Sequence, residues 1–294
     1  MAGRGAGPYA LNLTIDPAPG AGEASEIYAT LTRKRTGEPV TGLQILHERT
    51  LHNFIVNLDF SSFVHIHHED FSAITQADRD RATFHFPYAF PRPGNYRMVS
   101  EFTHRDRSWT THFDIEVGAG VRPRSLDLSP WNEVNGISAK LATSPAVPVA
   151  GFETELVIAL SRDGVDVTDL ELILGSEVHM ALWRSDGRHF GHAHTYTPHM
   201  AAMMADLDDA SPVLRASKMA DMMVAMMNMP SELVFTGPRL PLRYVFPEPG
   251  SYVLFLQCAP RGVATVFKFI VDVARFEEGM DTAIVSILDD KAAR

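Results

Sequence analysis

The chain repeats itself, and this constrains its fold more than any other feature, because two related stretches must form two related structures. Val40 to Leu46 (VTGLQIL) is answered 127 positions later by Val167 to Ile173 (VTDLELI). At the same offset, LHNFIVNLDFSSFVHIH from Leu51 is answered by VHMALWRSDGRHFGHAH from Val178, and YALNLTIDP from Tyr9 by ISAKLATSP from Ile137 at nearly that offset. The turn segments FPRPGNY from Phe90 and FPEPGSY from Phe246 stand 156 apart, so the second copy carries about 29 extra residues between His194 and Pro241. A length of 294 residues, 45% of them hydrophobic, suits two packed cores better than one.

Each copy reads as short strands parted by turns. EIYATLTRK and ETELVIALSR alternate polar and apolar residues and end at Thr36-Gly37 and Asp163-Gly164 breaks. The P-x-P-G-x-Y segment is a turn feeding another strand, and WTTHFDIEVG and TVFKFIVDV close the copies as β-rich runs. The expectation is an all-β protein of two tandem immunoglobulin-like sandwiches, the first over 1–120 and the second over 137–275. VRPRSLDLSPWNEVNG, 121–136, is the expected linker and 276–294 a C-terminal tail.

Six of the thirteen histidines occupy matching places in the two copies. Asp186-Gly187 signals a two-residue type I′ hairpin turn, which pairs Ser185 with Arg188 and, counting outward, His179 with His194. Since side chains alternate faces along a strand, His192 joins them on that face. Moved back 127 positions, the count sets His52 opposite His67 with His65 beside them. Three neutral imidazoles at cross-strand spacing suit one Zn, Cu, Ni or Fe ion. Phe54, Val56, Leu58 and Phe63 supply an apolar wall, and His47, His68, His199 and Met200 are secondary ligand candidates, with Glu48 and Glu69 nearby. The remaining His85, His104, His112 and His189 lack repeat partners and read as surface or structural residues.

The extra segment of the second copy holds nine of the thirteen methionines, and its Met219, Met222, Met223, Met226 and Met227 fall on one helical face. A helical insertion over about 195–235 is expected, packed on the sandwich, offering soft thioether sulfur to copper, or docking an apolar ligand or a protein partner.

The net charge of −10 and the lack of clustered Lys and Arg argue against nucleic acid as a partner. No apolar run is long enough for a membrane span, and the opening MAGRGAGPYALNL lacks the apolar core of a secretory leader. The single cysteine, Cys258, lies in an apolar run and reads as a buried thiol.

HERTLHNFIVNLDFSSFVHIHHEDF followed by TFHFPYAFPRPGNYRM resembles the YtkA-like family of bacterial extracytoplasmic β-sandwich domains. The shared pattern is a His-Glu, a His opening a strand, a hairpin with an aromatic, a His-x-His and a P-x-x-G-x-Y-like turn. The likeness covers both copies, although Leu174-Gly175 replaces His47-Glu48 in the second, and the Met-rich segment and His68 depart from the pattern. It implies an immunoglobulin-like fold, an extracytoplasmic setting and an association with copper. The leading functional expectation is a metal-binding protein, copper preferred and zinc the alternative, that stores, carries or buffers the ion. The alternatives are a three-histidine Zn, Cu or Fe enzyme (hydratase, hydrolase or oxygenase) and a scaffold or adhesion module without metal.

Overall fold

A computed structural model describes residues 1–118, 125–198, 200, 202 and 232–277. Two compact units emerge, one built mainly on Met1–Leu128 and the other on Ser129–Glu171, Glu177–Tyr196 and residues 234–277. The first contains β1 (Arg4–Gly5), β2 (Tyr9–Asp16), β3 (Ala24–Arg33), β4 (Leu51–Asn57), β5 (Phe63–Ile66), α1 (Gln76–Arg81), β6 (Thr83–Ala89), β7 (Gly94–Thr103) and β8 (Ser108–Val117). The second contains β9 (Glu133–Val134), β10 (Ile137–Ser144), β11 (Glu153–Arg162), β12 (Val165–Asp166), β13 (Leu170–Glu171), β14 (Val178–Arg184), β15 (Phe190–His194), β16 (Arg239–Val245), β17 (Gly250–Pro260) and β18 (Thr265–Val273). Among the described residues no helix is long and apolar enough to cross a membrane.

In the first unit β2-β3-β6 form one antiparallel sheet and β1-β8-β7-β4-β5 the other. The second unit repeats this order: β10, β11 and β16 form one sheet, joined by β9 and β12, while β15-β14-β17-β18 form the other, with β13 also on β17. Three strands facing four in this order is the immunoglobulin-like arrangement. Each pair of sheets closes on an apolar core, Ile27, Leu31, Phe84, Ile55 and Met98 in one and Leu156, Ile158, Leu240, Met180 and Leu254 in the other. Cys258 belongs to the second core, and burial pushes its thiol up to about 12. Glu133–Val134, inside the stretch expected to be linker, instead pairs with β10 as an edge strand.

A tyrosine fastens each sandwich at the same corner. The Tyr96 hydroxyl donates to the Arg92 carbonyl at 2.9 Å and that of Tyr252 to the Glu248 carbonyl at 2.8 Å. Both rings are fully buried, so the hydroxyls take up carbonyls that would otherwise need water.

The hairpins that carry the histidines depart from the expected type I′ turn. A type I′ turn needs positive φ at both central residues, but at Asp186-Gly187 only Gly187 has it, at 70°. The chain makes a wider four-residue loop, with Gly187 N–H donating to the Arg184 carbonyl and Arg184 N–H to the His189 carbonyl. The first unit has the same loop, closed by Phe60 N–H to the Asn57 carbonyl and Asn57 N–H to the Ser62 carbonyl, with Phe60 at φ 60°. Asp59 and Asp186 each accept the N–H two residues on, from Ser61 and Arg188. The I′ geometry occurs instead at Asp163-Gly164, with φ 51° and 77°, where Arg162 pairs with Val165.

Two outcomes follow from these corners and loops. Tyr96→Phe and Tyr252→Phe should each lose about 0.5–1.5 kcal/mol in chemical denaturation; unchanged midpoints in both would refute the fastening role. The hydrogen bond from Arg184 pulls the Asp186 carboxyl down to about 2, against the upward push of burial and with help from Arg188 N–H. A depressed carboxyl stabilises the fold above the unfolded value of about 3.9, and that contribution disappears as the pH falls toward about 2. Asp186→Asn should therefore lower stability at pH 7 by less than about 1 kcal/mol, the side chain being partly exposed, and change it little at pH 2. Equal losses at both pH values would contradict this assignment.

Candidate metal centre

In the first unit Phe54 pairs with His65 and Asn53 with Ile66, so the ladder continued by one residue brings His52 level with His67. Leu51 and Ile55 of β4 face the core, which turns His52, Phe54 and Val56 to the outer face of the sheet. That face is closed to solvent: Phe54 and Val56 are fully buried, and His52, His65 and His67 are 2%, 8% and 1% exposed. Behind them Asn53 donates to the Ile66 carbonyl and accepts from Ser100, pinning the carbonyl that lies between His65 and His67. In the second unit His179 pairs with His194 and Ala181 with His192, as the sequence count places them.

Three ring nitrogens of the first trio meet. His52 Nδ1 lies 3.1 Å from His65 Nε2 and 3.1 Å from His67 Nε2, and the last two are 2.9 Å apart. The opposite nitrogens decide the chemistry. His52 Nε2 is 2.9 Å from the Leu46 carbonyl oxygen, which can only accept, so that nitrogen carries the proton. His67 Nδ1 is 2.9 Å from Asp70 Oδ2 and donates to it for the same reason. In the neutral rings His52 Nδ1 and His67 Nε2 are therefore bare lone pairs aimed at one point. Separations near 3 Å fit nitrogens that each stand about 2.0–2.1 Å from a shared ion.

Local turns set both anchors. Leu46 and Arg49 close a tight turn through mutual backbone hydrogen bonds, with His47 and Glu48 at φ 47° and 64°. Asp70 ends a 3-10 turn over His68–Asp70 and accepts both the backbone N–H and the ring N–H of His67. Arg49 reaches across to the same carboxylate at 3.1 Å. Burial pushes the Asp70 carboxyl up, but the hydrogen bonds from His67 and Arg49 outweigh it and hold the group below the usual carboxylate range. The second repeat makes the same tight turn at Ile173–Ser176, with Leu174 and Gly175 at φ 51° and 72°.

The second trio also converges, with His179 Nδ1 3.5 Å from His192 Nε2 and the His194 ring 4.4 Å from each of the others, centroid to centroid. In both trios one nitrogen per histidine lies within 4.8 Å of the others, and among the described residues no further His, Cys, Asp or Glu joins either group. His192 and His194 are half-buried, unlike their counterparts.

The secondary candidates stand apart from these groups. His68 is buried, but its Nδ1 accepts the His85 N–H and its Nε2 bonds Ser72, so its ring serves the connection to β6. His47 occupies the tight turn, and Glu69 accepts the Thr50 N–H. Of the apolar wall, Phe54 stacks on His65 at 4.2 Å, whereas Leu58 lies in the hairpin loop. Met200 is half-buried, with its N–H bonded to Thr197; His199 and the Met-rich stretch 203–231 lie outside the described residues. His104 bonds the Tyr9 hydroxyl and His189 that of Tyr244, and burial, with Arg33 and Arg105 near the first and Arg184 near the second, lowers both imidazoles. The sequence reading missed Asp70, although an acid three residues after His67 carries the spacing of a capping box.

A family model described as a domain of unknown function, DUF8832, matches residues 6–119 and 132–275. No curated protein matches the chain. Among solved structures the chain is similar to the Escherichia coli adhesin FdeC, at 11% identity over 90% of this chain and 64% of that one, with a TM-score of 0.25. It is also similar to invasin, a bacterial integrin-binding protein, at 12% identity over 90% and 39%, TM-score 0.25. Fibronectin(III)-like modules of Clostridium thermocellum CbhA give 12% over 90% and 95%, TM-score 0.20. The chain spans less than two thirds of the first two, and likenesses this low carry no functional argument.

The tautomers are open to direct observation. In metal-free protein, long-range nitrogen–proton NMR correlations should show His52 protonated at Nε2 and His67 at Nδ1; the opposite assignment at either ring would undo the site as built here.

Proposed function

Because this chain belongs to the DUF8832 family of domains of unknown function, its role must be read from its own residues, and we propose that it is a metal-binding protein. Each histidine trio holds one transition-metal ion, copper preferred and zinc second, for storage, transport or buffering. The observation that carries this reading is the meeting of three imidazole nitrogens 2.9–3.1 Å apart, two of them on rings whose far nitrogens face a carbonyl and a carboxylate. Bare lone pairs at that distance repel one another, and a cation between them turns repulsion into coordination.

Three neutral imidazoles form a borderline donor set, for which affinity among divalent first-row metals peaks at Cu²⁺ and falls back at Zn²⁺. The likeness of the His-Glu, His and His-x-His pattern to YtkA-like domains supports copper and an extracytoplasmic setting. A holding role, rather than turnover, is favoured by the burial of the first trio, whose histidines are at most 8% exposed.

Protein dialysed to equilibrium against Cu²⁺ or Zn²⁺ should hold two ions per chain by elemental analysis. His65→Ala with His67→Ala should retain one fewer, and the Cu²⁺ form should show nitrogen hyperfine structure in electron paramagnetic resonance. A parent protein that keeps neither metal would sink the reading.

A further inference from the structure

The two trios share a register, but their surroundings differ at three corresponding positions. Arg49, Asp70 and Phe54 of the first site stand, at the 127-residue offset, where the second has Ser176, Thr197 and Ala181. We propose that the sites are unequal in kind: the first binds its ion tightly and retains it, and the second binds weakly and exchanges it. This deepens the metal-binding reading above and rests on it.

The first difference lies in what holds the ligands. One tight turn anchors two histidines of the first trio: the Leu46 carbonyl takes His52 Nε2–H directly, and Arg49 at the other end of the turn grips Asp70, which takes His67 Nδ1–H. Asp70 also accepts the His67 backbone N–H, so ring and main chain are oriented by one carboxylate. A carboxylate behind a ligating imidazole raises the basicity of the metal-facing nitrogen and stops the ring from turning, and losing such a partner typically weakens metal binding 10–100-fold. At the corresponding sequence positions Thr197 and Ser176 carry no charge, and the Thr197 hydroxyl accepts the Met200 N–H.

The second difference is packing. Phe54 lies flat on the His65 ring, with 18° between the planes, and fixes it from one side. His192, its counterpart, is paired with Ala181, whose methyl group offers far less surface. The third is access: His65 and His67 are buried, whereas His192 and His194 are half-buried. Greater exposure speeds entry and release of the ion. Asp70 thus acts as a positioning residue of the first site, working through His67 without contacting the ion.

The test is a competition titration of the full-length chain with Cu²⁺ against a chromophoric chelator, repeated with Zn²⁺. Two phases at least about tenfold apart are expected. His65→Ala with His67→Ala should delete the tighter phase, and His192→Ala with His194→Ala should delete the weaker one and leave the tighter in place. Asp70→Asn should weaken the tighter phase about 10–100-fold and leave the weaker phase where it stands in the parent. Two phases of equal affinity, deletion of the tighter phase by the His192 and His194 changes, or an unmoved tighter phase in Asp70→Asn would each overturn the inequality. Failure of the parent to bind either ion would instead overturn the metal-binding reading itself.

Discussion

The candidate centre depends on the register of one strand pair in each repeat. Side chains on a strand alternate faces, so a slip of one residue between β4 and β5 would send His65 and His67 into the core while His52 stayed outside. The hairpin loop forbids that slip. In both units it turns through four residues with the third in the left-handed region, glycine at 187 and phenylalanine at 60. A phenylalanine tolerates φ of 60° only at some cost, which burial of its ring to 1% exposure offsets. The Asx hydrogen bonds of Asp59 and Asp186 brace the same loop in both copies.

Register alone would bring three imidazoles near one another without deciding which nitrogens meet. That choice belongs to the partners behind the rings. A tight turn before β4 and a 3-10 turn after β5 close on the first trio from two sides, one with a carbonyl oxygen and the other with a carboxylate, and Arg49 joins the two turns. Duplication preserved the strand frame and the tight turn while the charged pair behind the ligands stayed with one copy. A shared scaffold thus carries two histidine clusters with different surroundings.

Much of this was legible before any coordinates. The offset of 127 residues and the alternation of β4 and β14 sufficed to bring His52, His65 and His67, and His179, His192 and His194, to common faces. The hairpin count succeeded although the turn type behind it was mistaken, because the two-residue and four-residue loops centred on the same positions give the same pairing. Phe60 carried no signal of a left-handed residue, since bulky side chains rarely adopt that conformation. His68 was weighed as a ligand because it follows the His-x-His, but the 3-10 turn swings it toward β6, where Ser72 and the His85 N–H occupy its two nitrogens. Glu133–Val134 looked like linker because two residues are too few to show a strand's alternation.

By itself the sequence determined the duplication, the all-β character, the strand pairs and the histidines that share a face, because these follow from periodicity and turn chemistry that act over a few residues. Tertiary structure alone decided the tautomers, the burial of the first trio and the difference between the sites. Those depend on the Leu46 carbonyl, the Asp70 carboxylate and the Phe54 ring reaching the imidazoles across strands and turns, and a backbone oxygen leaves no mark in the identity of its residue.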